Sequence, residues 1–272
     1  MTDVFLVVLY KESLKTSKTI SSFLNSKVNF SNIKLIIWDN SPYKILDFDL
    51  LNKNQIQFEY EWTPENIPLS TIYNTVIETN KDSRLLFLFD QDSEFTELYF
   101  KYMYDSVRNE PNVKLFIPSV FHNNKLVSPG RFGFYKGMYL KHNCKGKNKT
   151  GNIIAIASGM CIRFTTFSED QVLFDENLSF YGIDTKFCLD YAKKNKHLYV
   201  INYSLKHDLS IFQEKEDINI KLKRMKDYQR STRYIIKNHK NNIFSLILSE
   251  LSWTIKIILY CMKNKYKKYL FN

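Results

Sequence analysis

Two aspartates separated by a single residue follow a run of five apolar residues. Asp90 and Asp92 come directly after Leu85–Phe89, a continuous apolar segment that is typical of a strand covered on both faces. Ligands of open α/β sheets bind beyond the carboxyl ends of the strands, so we expect these carboxylates to face a cleft. Their oxygens suit Mg²⁺ or Mn²⁺, whose other positions take water and substrate phosphate. The alternative is a solvated acidic turn.

Three further side chains are candidates for chemistry. Asp39 ends a second apolar run, Lys34–Trp38. Asp184 follows a glycine-containing turn and opens a helix-like segment, where a carboxylate serves either as a general base or as the N-cap of the helix. His207 follows an apolar run and precedes an aspartate, and this setting fits a ligand and a structural histidine equally well.

The elements that must position these side chains alternate between short apolar runs and helix-like segments. This alternation predicts an α/β fold with a mostly parallel sheet flanked by helices. The predicted strands are Val4–Tyr10, Lys34–Trp38, Gln57–Glu61, Leu85–Phe89, Lys114–Pro118, Ile153–Ala157 and Leu198–Tyr203. The predicted helices are Ser13–Ser26, Leu69–Thr79, Glu97–Asn109 and Asn177–Lys194. Between these elements, the basic stretch Phe121–Asn152 is predicted to be a long loop or a hairpin.

The composition excludes several classes of protein. With 44% hydrophobic residues, the 272-residue chain is not a disordered one. Its four cysteines are 17, 27 and 73 residues apart, which provides neither a disulfide scaffold nor a Cys-x-x-Cys zinc site. Its seven glycines form no Gly-rich dinucleotide fingerprint and no P-loop.

The net charge of +11 is concentrated in the C-terminal third. Residues 193–272 hold 18 Lys and Arg against 6 Asp and Glu. Helical patterns run from Glu214 to His239 and from Asn242 onward, and the second helix has an apolar face over Ile243–Met262. Glu250 and Lys256 argue against a spanning helix, so the pattern predicts a helix lying in the plane of an anionic membrane. A helix packed on the domain and a dimer face are the alternatives.

Four segments in order carry a resemblance to a known family. They are Asp39-Asn40-Ser41, Asp90-Gln91-Asp92-Ser93, Ser158-Gly159, and Phe180 to Leu189 with Ile183-Asp184-Thr185 inside it. Over residues 3–210 the chain resembles family 2 glycosyltransferases with the GT-A fold, and it is most similar to the bacterial rhamnosyltransferase-like branch. The resemblance implies a GT-A-like catalytic domain over residues 1–212, and we predict a basic helical extension over residues 213–272.

The resemblance also implies roles for individual residues. It assigns Asp184 as the catalytic base, and Asp92 with His207 as contacts of a Mn²⁺ or Mg²⁺ ion. The implied contacts of the nucleotide sugar are Asp39 with the base, Asp90 with the ribose, and Asn66, Ser158 and Gly159. The chain departs from the family where Pro68 and Leu69 stand in the usual glycine neighbourhood of Asn66, and where Ile183 precedes the base in place of Glu.

These observations together predict a metal-dependent, inverting glycosyltransferase. The expected donor is a dTDP- or UDP-sugar, with rhamnose as the sugar, and the expected acceptor is a lipid-linked saccharide of bacterial surface polysaccharide synthesis, such as O-antigen or capsule. The enzyme would be cytoplasmic and peripheral at the inner face of the cell membrane, without specific nucleic-acid binding. One alternative is a nucleotidyltransferase, which usually has a Gly-rich loop near the first strand. The other is a non-catalytic nucleic-acid-binding protein, which salt-dependent DNA or RNA binding would reveal.

Overall fold

The structure is a computed structural model that describes residues 1–26, 28, 30–122, 125–140, 142, 144–207 and 217–270. For Phe30, His207 and residues 265–270 it describes the backbone alone. The chain forms two compact units, one comprising Met1–Arg131 with Tyr139–Asp208 and the other Phe132–Met138 with Leu209–Asn272. The predicted helix start at Glu214 lies outside the described residues.

The described residues form strands and helices in a mixed order. The strands are β1 (Asp3–Leu9), β2 (Ile33–Asp39), β3 (Phe58–Trp62), β4 (Leu85–Asp90), β5 (Ser93–Glu94), β6 (Leu115–His122), β7 (Lys125–Ser128), β8 (Gly130–Phe132), β9 (Gly137–Tyr139), β10 (Gly146–Lys149), β11 (Ile153–Ile154), β12 (Met160–Arg163) and β13 (His197–His207). The helices are α1 (Lys18–Asn25), α2 (Asp49–Lys53), α3 (Leu69–Thr79), α4 (Glu97–Asn109), α5 (Thr165–Ser168), α6 (Ile183–Lys194), α7 (Ile218–Ile235) and α8 (Ile243–Leu270).

A ten-stranded sheet organises the first unit, and it confirms the predicted α/β class. Its strand order is β10-β13-β6-β12-β4-β1-β2-β3, with β5 paired to β13 and β7 paired to β6. Strands β1 to β4 are parallel to one another, while β12 runs antiparallel to both β4 and β6. A separate three-stranded sheet has the order β11-β8-β9.

Apolar side chains on both faces of the central strands form the core. All seven residues of β1 are buried, because helices cover both sides of the parallel strands. Phe5 lies at the centre, with its ring centroid 4.5 Å from that of Phe23 and 4.9 Å from that of Phe89. Truncating a core phenylalanine to alanine typically lowers the free energy of unfolding by about 3–5 kcal/mol. This cluster therefore stabilises the packing of β4, which carries Asp90, with β1 and α1.

Two helices have the predicted bounds, and two are shorter than predicted. Leu69–Thr79 and Glu97–Asn109 form α3 and α4 as expected. Helix α1 begins at Lys18 instead of Ser13, because the Ser17 hydroxyl caps the helix by accepting the N–H of Ile20 at 3.3 Å. Helix α6 begins at Ile183, directly after the glycine-containing turn that was predicted before Asp184. Gly182 in this turn has a φ of 77°, so the residues from Asn177 to Gly182 do not join the helix.

The strand predictions were incomplete on the later half of the sheet. Only Ile153–Ile154 of the predicted Ile153–Ala157 is a strand, and it belongs to the small sheet. The large sheet uses Met160–Arg163 instead, after a turn at Ser158-Gly159. The stretch predicted as a loop or hairpin contains the short strands β7 to β10. The strand predicted at Leu198–Tyr203 extends to His197–His207.

Candidate active site

Sheet register brings Asp39 and Asp90 to the same edge of the sheet. Leu9, the last residue of β1, is level with Asp39 of β2, and its neighbour Val8 is level with Asp90 of β4. The two aspartates therefore stand on either side of the carboxyl end of β1. This is the edge at which α/β sheets bind their ligands, and the name carboxylate edge is used below for Asp39, Asp90, Asp92 and Asp184.

Asp39 is fully buried and orders the loop that follows β2. Its carboxylate accepts the N–H of Ser41 at 3.1 Å, the N–H of Ile45 at 2.9 Å and the hydroxyl of Tyr60 at 2.6 Å. Burial and the adjacent Asp39 carboxylate raise the pKa of Tyr60, which keeps its hydroxyl protonated as a donor. In this conformation Asp39 shapes the loop, and its contact with a nucleotide base stays a prediction.

Asn40 lies at this edge too, although the sequence did not mark it as a candidate. Its side-chain oxygen accepts the hydroxyl of Thr63 at 2.8 Å and the N–H of Ile67 at 2.9 Å. Its amide nitrogen donates to Asn66 Oδ1 at 3.0 Å and to the Ile67 carbonyl at 2.9 Å. Asn40 thus joins the ends of β2 and β3, and its place directly after Asp39 was the signal that could have identified it.

Asn66 lies in the loop between β3 and α3, beside Asn40. Its backbone is left-handed with a φ of 48°, a conformation that asparagine tolerates better than most residues. Pro68 follows in the N-cap position of α3, where a residue without an N–H loses no helical hydrogen bond. The structure therefore brings Asn66 to the edge, although its loop differs from the glycine-containing one of the family it resembles.

Hydrogen bonds hold the Asp90-Gln91-Asp92-Ser93 turn from two sides. On one side the N–H of Asp90 donates to Ser158 Oγ at 3.2 Å, and Ser158 Oγ lies 2.6 Å from Ser93 Oγ. On the other side the Thr19 hydroxyl donates to the Asp90 carbonyl, and the Ser93 N–H donates to Thr19 Oγ1 at 3.0 Å. The turn is thereby fixed before any ligand binds.

Ser158 and Gly159 stabilise the turn through buried contacts. Ser158 is fully buried. Gly159 has a φ of 84°, and a Cβ there would lie 2.7 Å from Pro118 Cγ. The Gly159 N–H donates to the Leu88 carbonyl at 2.7 Å, and its own carbonyl accepts the Tyr99 hydroxyl at 3.0 Å. Only glycine fits this close approach without strain, and the contacts with a sugar that the resemblance implies stay predictions.

Asp184 lies in the first turn of α6, close enough to Asp90 for the charge of Asp90 to affect its pKa. Its Oδ1 atom accepts the N–H of Thr185 at 2.7 Å, while the N-cap position belongs to Gly182. Burial raises the pKa of Asp184 to about 6; the negative charge of Asp90 adds to this, and the N–H groups of Thr185 and Ala157 oppose it. A carboxylate with a pKa near neutrality is suited to take a proton from a hydroxyl.

Tyr73 of α3 lies beside the same two aspartates. It is buried, and its ring centroid is 4.8 Å from that of Phe174. Burial raises the pKa of Tyr73 well above its usual range, and the charges of Asp90 and Asp184 raise it further. Tyr73 could not be identified from the sequence, because a tyrosine within the apolar pattern of α3 has no local feature that separates it from the core.

Strand pairing brings the backbone of His207 to the Asp90–Ser93 turn, and the metal contacts of Asp92 and His207 stay predictions. The backbone of His207, at the end of β13, pairs with that of Ser93, the residue after Asp92. The His207 side chain lies outside the described part of the chain. Within the described residues there is no group of three or more His, Cys, Asp and Glu side chains arranged to hold an ion. One or two protein carboxylates, as Asp90 and Asp92 would provide, suit a Mg²⁺ ion that takes its remaining ligands from a diphosphate and water.

No protein-family model and no curated protein matches the chain. Solved structures do match its fold. The crystal structure of S. aureus TarS 1–349 has a TM-score of 0.59 at 12% identity, over 94% of this chain and 79% of that chain. The same protein in complex with UDP-GlcNAc has a TM-score of 0.59 at 11% identity, over 88% and 67%. GalNAc-T7 with UDP, GalNAc and Mn²⁺ has a TM-score of 0.53 at 11% identity, over 85% and 47%.

At these identities the similarity establishes the fold. The parallel strands β1 to β4, the Asp-x-Asp turn after β4 and the antiparallel β12 beside it are the parts that carry the carboxylate edge. The chain therefore has the GT-A fold of the glycosyltransferases that it matches.

Proposed function

We propose that this chain is a glycosyltransferase that moves a sugar from a nucleoside-diphosphate sugar to a saccharide acceptor. The observation that carries the proposal is the proximity of Asp184, in the first turn of α6, to Asp90 at the carboxyl end of β4. Their electrostatic coupling links the Asp-x-Asp turn after β4 to a carboxylate of raised pKa on α6. The matched structures with UDP, UDP-GlcNAc, and UDP with Mn²⁺ support a nucleotide-sugar donor.

The Asp90–Ser93 turn is the proposed contact of the donor diphosphate. Asp92 and His207 are the residues that would hold Mn²⁺ or Mg²⁺. A bound divalent ion would supply neutralisation of the negative charge that grows on the leaving diphosphate. The hydrogen bonds from Ser158 and Thr19 keep the turn in one conformation, so little ordering is needed when the donor binds.

Asp184 is the proposed general base. Above its pKa of about 6 it is ionised and can accept the proton of the acceptor hydroxyl. A hydroxyl oxygen activated there would attack the anomeric carbon on the face opposite the diphosphate, which inverts the configuration at that carbon. The charge of Asp90 opposes ionisation of Asp184, so neutralisation of that charge in the donor complex would lower the pKa of the base.

The proposed enzyme family, donor sugar and acceptor come from the family resemblance. We propose a member of the family 2 enzymes, with dTDP- or UDP-rhamnose as donor and a lipid-linked saccharide of bacterial surface polysaccharide as acceptor. The uridine nucleotides in the matched structures favour UDP as the carrier, while the Asp-Gln-Asp-Ser motif favours the rhamnosyl branch.

A panel of donors tests this function. The purified chain would be incubated with UDP-, dTDP- and GDP-sugars, each with Mn²⁺ and with Mg²⁺, and the released nucleotide measured. We expect release of a nucleoside diphosphate from one donor, with no release from Asp92→Ala. Release of pyrophosphate from a nucleoside triphosphate and a sugar phosphate would instead identify a nucleotidyltransferase. Absence of both products across the panel would contradict the proposal.

A further inference from the structure

Helix α8 exposes a continuous apolar face. The face repeats at intervals of three and four residues, so its members lie along one side of the helix. Exposure is large for these side chains, at 70% for Phe244, 54% for Leu251 and 58% for Leu259. The exposed apolar residues of α8 are Ile243, Phe244, Ile247, Leu248, Leu251, Ile255, Ile258, Leu259 and Met262.

The polar side of α8 is the one that packs on α7. Ser245 and Ser249 are buried, and Glu250 accepts hydrogen bonds from Arg233 at 2.6 and 2.7 Å and from Gln229 at 2.7 Å. Both of these partners belong to α7. An amphipathic helix of a water-soluble domain normally buries its apolar side, so the α7–α8 hairpin, residues 217–270, has the reverse arrangement.

The hairpin is also strongly basic. Residues 217–270 contain thirteen Lys and Arg against three Asp and Glu. Lys256 and Lys263 are exposed and lie seven residues apart, so they form one row along the flank of the apolar face. Lys256 Nζ lies 4.6 Å from the ring centroid of Trp253. In an anionic membrane surface, the basic flank would contact the headgroups and the exposed apolar face would contact the acyl chains.

Helix α8 is long and apolar enough to cross a membrane by length and composition, over Ile243–Asn264 with a mean hydropathy of 1.5. Its packing on α7 argues against crossing. Glu250 and Trp253 lie near the middle of this segment, where Glu250 binds Arg233 and the Trp253 ring stacks on Tyr228 of α7 with centroids 6.0 Å apart. A crossing helix would carry this ion pair and the basic α7 into hydrocarbon, at a high cost in free energy.

We propose that the α7–α8 hairpin docks the enzyme on an anionic membrane, with α8 lying in the plane of the headgroups and its apolar face in the acyl layer. The basic charge selects the anionic leaflet, which in cells is the cytoplasmic one. An enzyme docked in this way would lie at the same membrane surface as the proposed lipid-linked acceptor. The docking itself depends only on the hairpin and does not rest on the proposed function.

Co-sedimentation with lipid vesicles tests the proposal on the full-length chain. Vesicles of phosphatidylcholine alone would be compared with vesicles that also contain phosphatidylglycerol. We expect tight binding to the anionic vesicles and weak binding to the neutral ones. The double variant Leu251→Ser/Ile255→Ser should reduce partitioning about tenfold or more at every salt concentration, because burial of apolar area is not screened.

Two further variants separate the contributions. Lys256→Gln/Lys263→Gln should weaken binding about fivefold per lysine at low salt and little at high salt, because the headgroup attraction is screened. The control Leu98→Ser/Leu173→Ser removes two similarly exposed leucines from the first unit and should bind as the parent does. Circular dichroism would verify that each variant is folded.

Three results would overturn the proposal. The first is equal vesicle binding by the parent and Leu251→Ser/Ile255→Ser. The second is a chain that ignores vesicles but sediments as a dimer which the same variant dissociates, since the occupant of the face would then be a second copy. The third is resistance of the membrane-bound chain to alkaline carbonate extraction, which indicates a crossing helix. Release by carbonate supports the in-plane position.

Discussion

The carboxylate edge and the α7–α8 hairpin differ in which side chains they bury and in how their acids are paired. At the edge, apolar strands are buried and end in acids. Burial raises the pKa of Asp184 on α6, and the charge of Asp90 raises it further. In the hairpin, the apolar side chains are exposed, and the acid Glu250 is paired with Arg233, which lowers its pKa. An unfavourable charge environment is what we expect of a reactive group, whereas a large exposed apolar face is what we expect of an attachment surface.

The largest expected effect is at the edge. Asp92→Asn should remove metal-dependent turnover, because it removes the carboxylate proposed to hold the ion while leaving the core intact. Steady-state rates with Mn²⁺ and Mg²⁺ would measure it. Glu94→Gln, an exposed acid two residues away that pairs with Lys18, is the matched control and should retain its rate. Activity of Asp92→Asn within about threefold of the parent would contradict the metal role.

Asp184→Asn should lower kcat by about 10²–10⁴-fold, the usual contribution of a general base. Donor affinity should change little, because the base acts on the acceptor. The free energy of unfolding should rise, because a neutral amide avoids the unfavourable ionisation of a buried acid. Asp82→Asn, on an exposed turn, is the control. Reduced stability together with an unchanged rate would assign Asp184 a structural role at the start of α6.

Stability should depend on pH with opposite sign in the two regions. The folded-state pKa of Asp184 is raised from 3.8 to about 6, so its stabilising effect is present below pH 3.8 and is lost as the pH rises through about 6. The unfolding free energy of the parent relative to Asp184→Asn should therefore fall by up to about 3 kcal/mol over this range. Denaturant titrations at several pH values would measure the difference.

Glu250 is the counterpart in the hairpin. Its hydrogen bond from Arg233 lowers its folded pKa from 4.5, so the stabilisation is present above that pH and is lost as the pH falls. Glu250→Gln should cost about 0.5–1 kcal/mol at neutral pH, since the pair is partly exposed, and nothing in acid. A loss that is the same at both pH values would show that the ion pair does not stabilise the hairpin.

Gly159→Ala should destabilise the first unit by about 2–4 kcal/mol, since its φ of 84° is strained for alanine and the new Cβ would clash with Pro118. Gly146→Ala has a similar φ of 90° but open space around its Cβ, so we expect only about 1–2 kcal/mol. Thermal unfolding compares the two. Equal losses would mean that close packing against Pro118 is unimportant.

The smallest effect is expected from the hairpin variant. Leu251→Ser/Ile255→Ser should leave kcat/KM for a short soluble acceptor unchanged, because the proposed chemistry lies entirely on the first unit. The same measurement with a vesicle-borne acceptor should show a loss. A clear decrease in thermal stability would contradict the comparison, because it would mean that the apolar face of α8 is packed.

The helices α3 and α4 could be predicted from sequence to the residue, because each has a regular apolar period and clear ends. Strand β12 could not. Met160–Arg163 is a short apolar run after a turn, and what makes it a strand is pairing with β4 and β6 on both sides. Such pairing depends on residues far apart in the chain, and no local pattern reports it.

The site residues, too, could be predicted only where a local pattern marks them. Asp39, Asp90 and Asp92 follow apolar runs, and the end of a buried strand is a position that the sequence itself marks. Ser158, in contrast, was selected for contact with a sugar, while the structure shows its hydroxyl bound to the Asp90–Ser93 turn. Tyr73 was not selected at all, because its proximity to two carboxylates comes from the packing of α3 against the sheet.

The sequence by itself determined the alternation of strands and helices, the carboxylates at the strand ends and the basic, amphipathic C-terminal segment. These follow from local periodicity and charge, which need no knowledge of partners. The tertiary structure decided that Asp184 lies beside Asp90, and that Glu250 and not Leu251 faces α7. Both depend on which surfaces meet when the chain folds, and burial and pairing across long sequence separations are set by the whole fold.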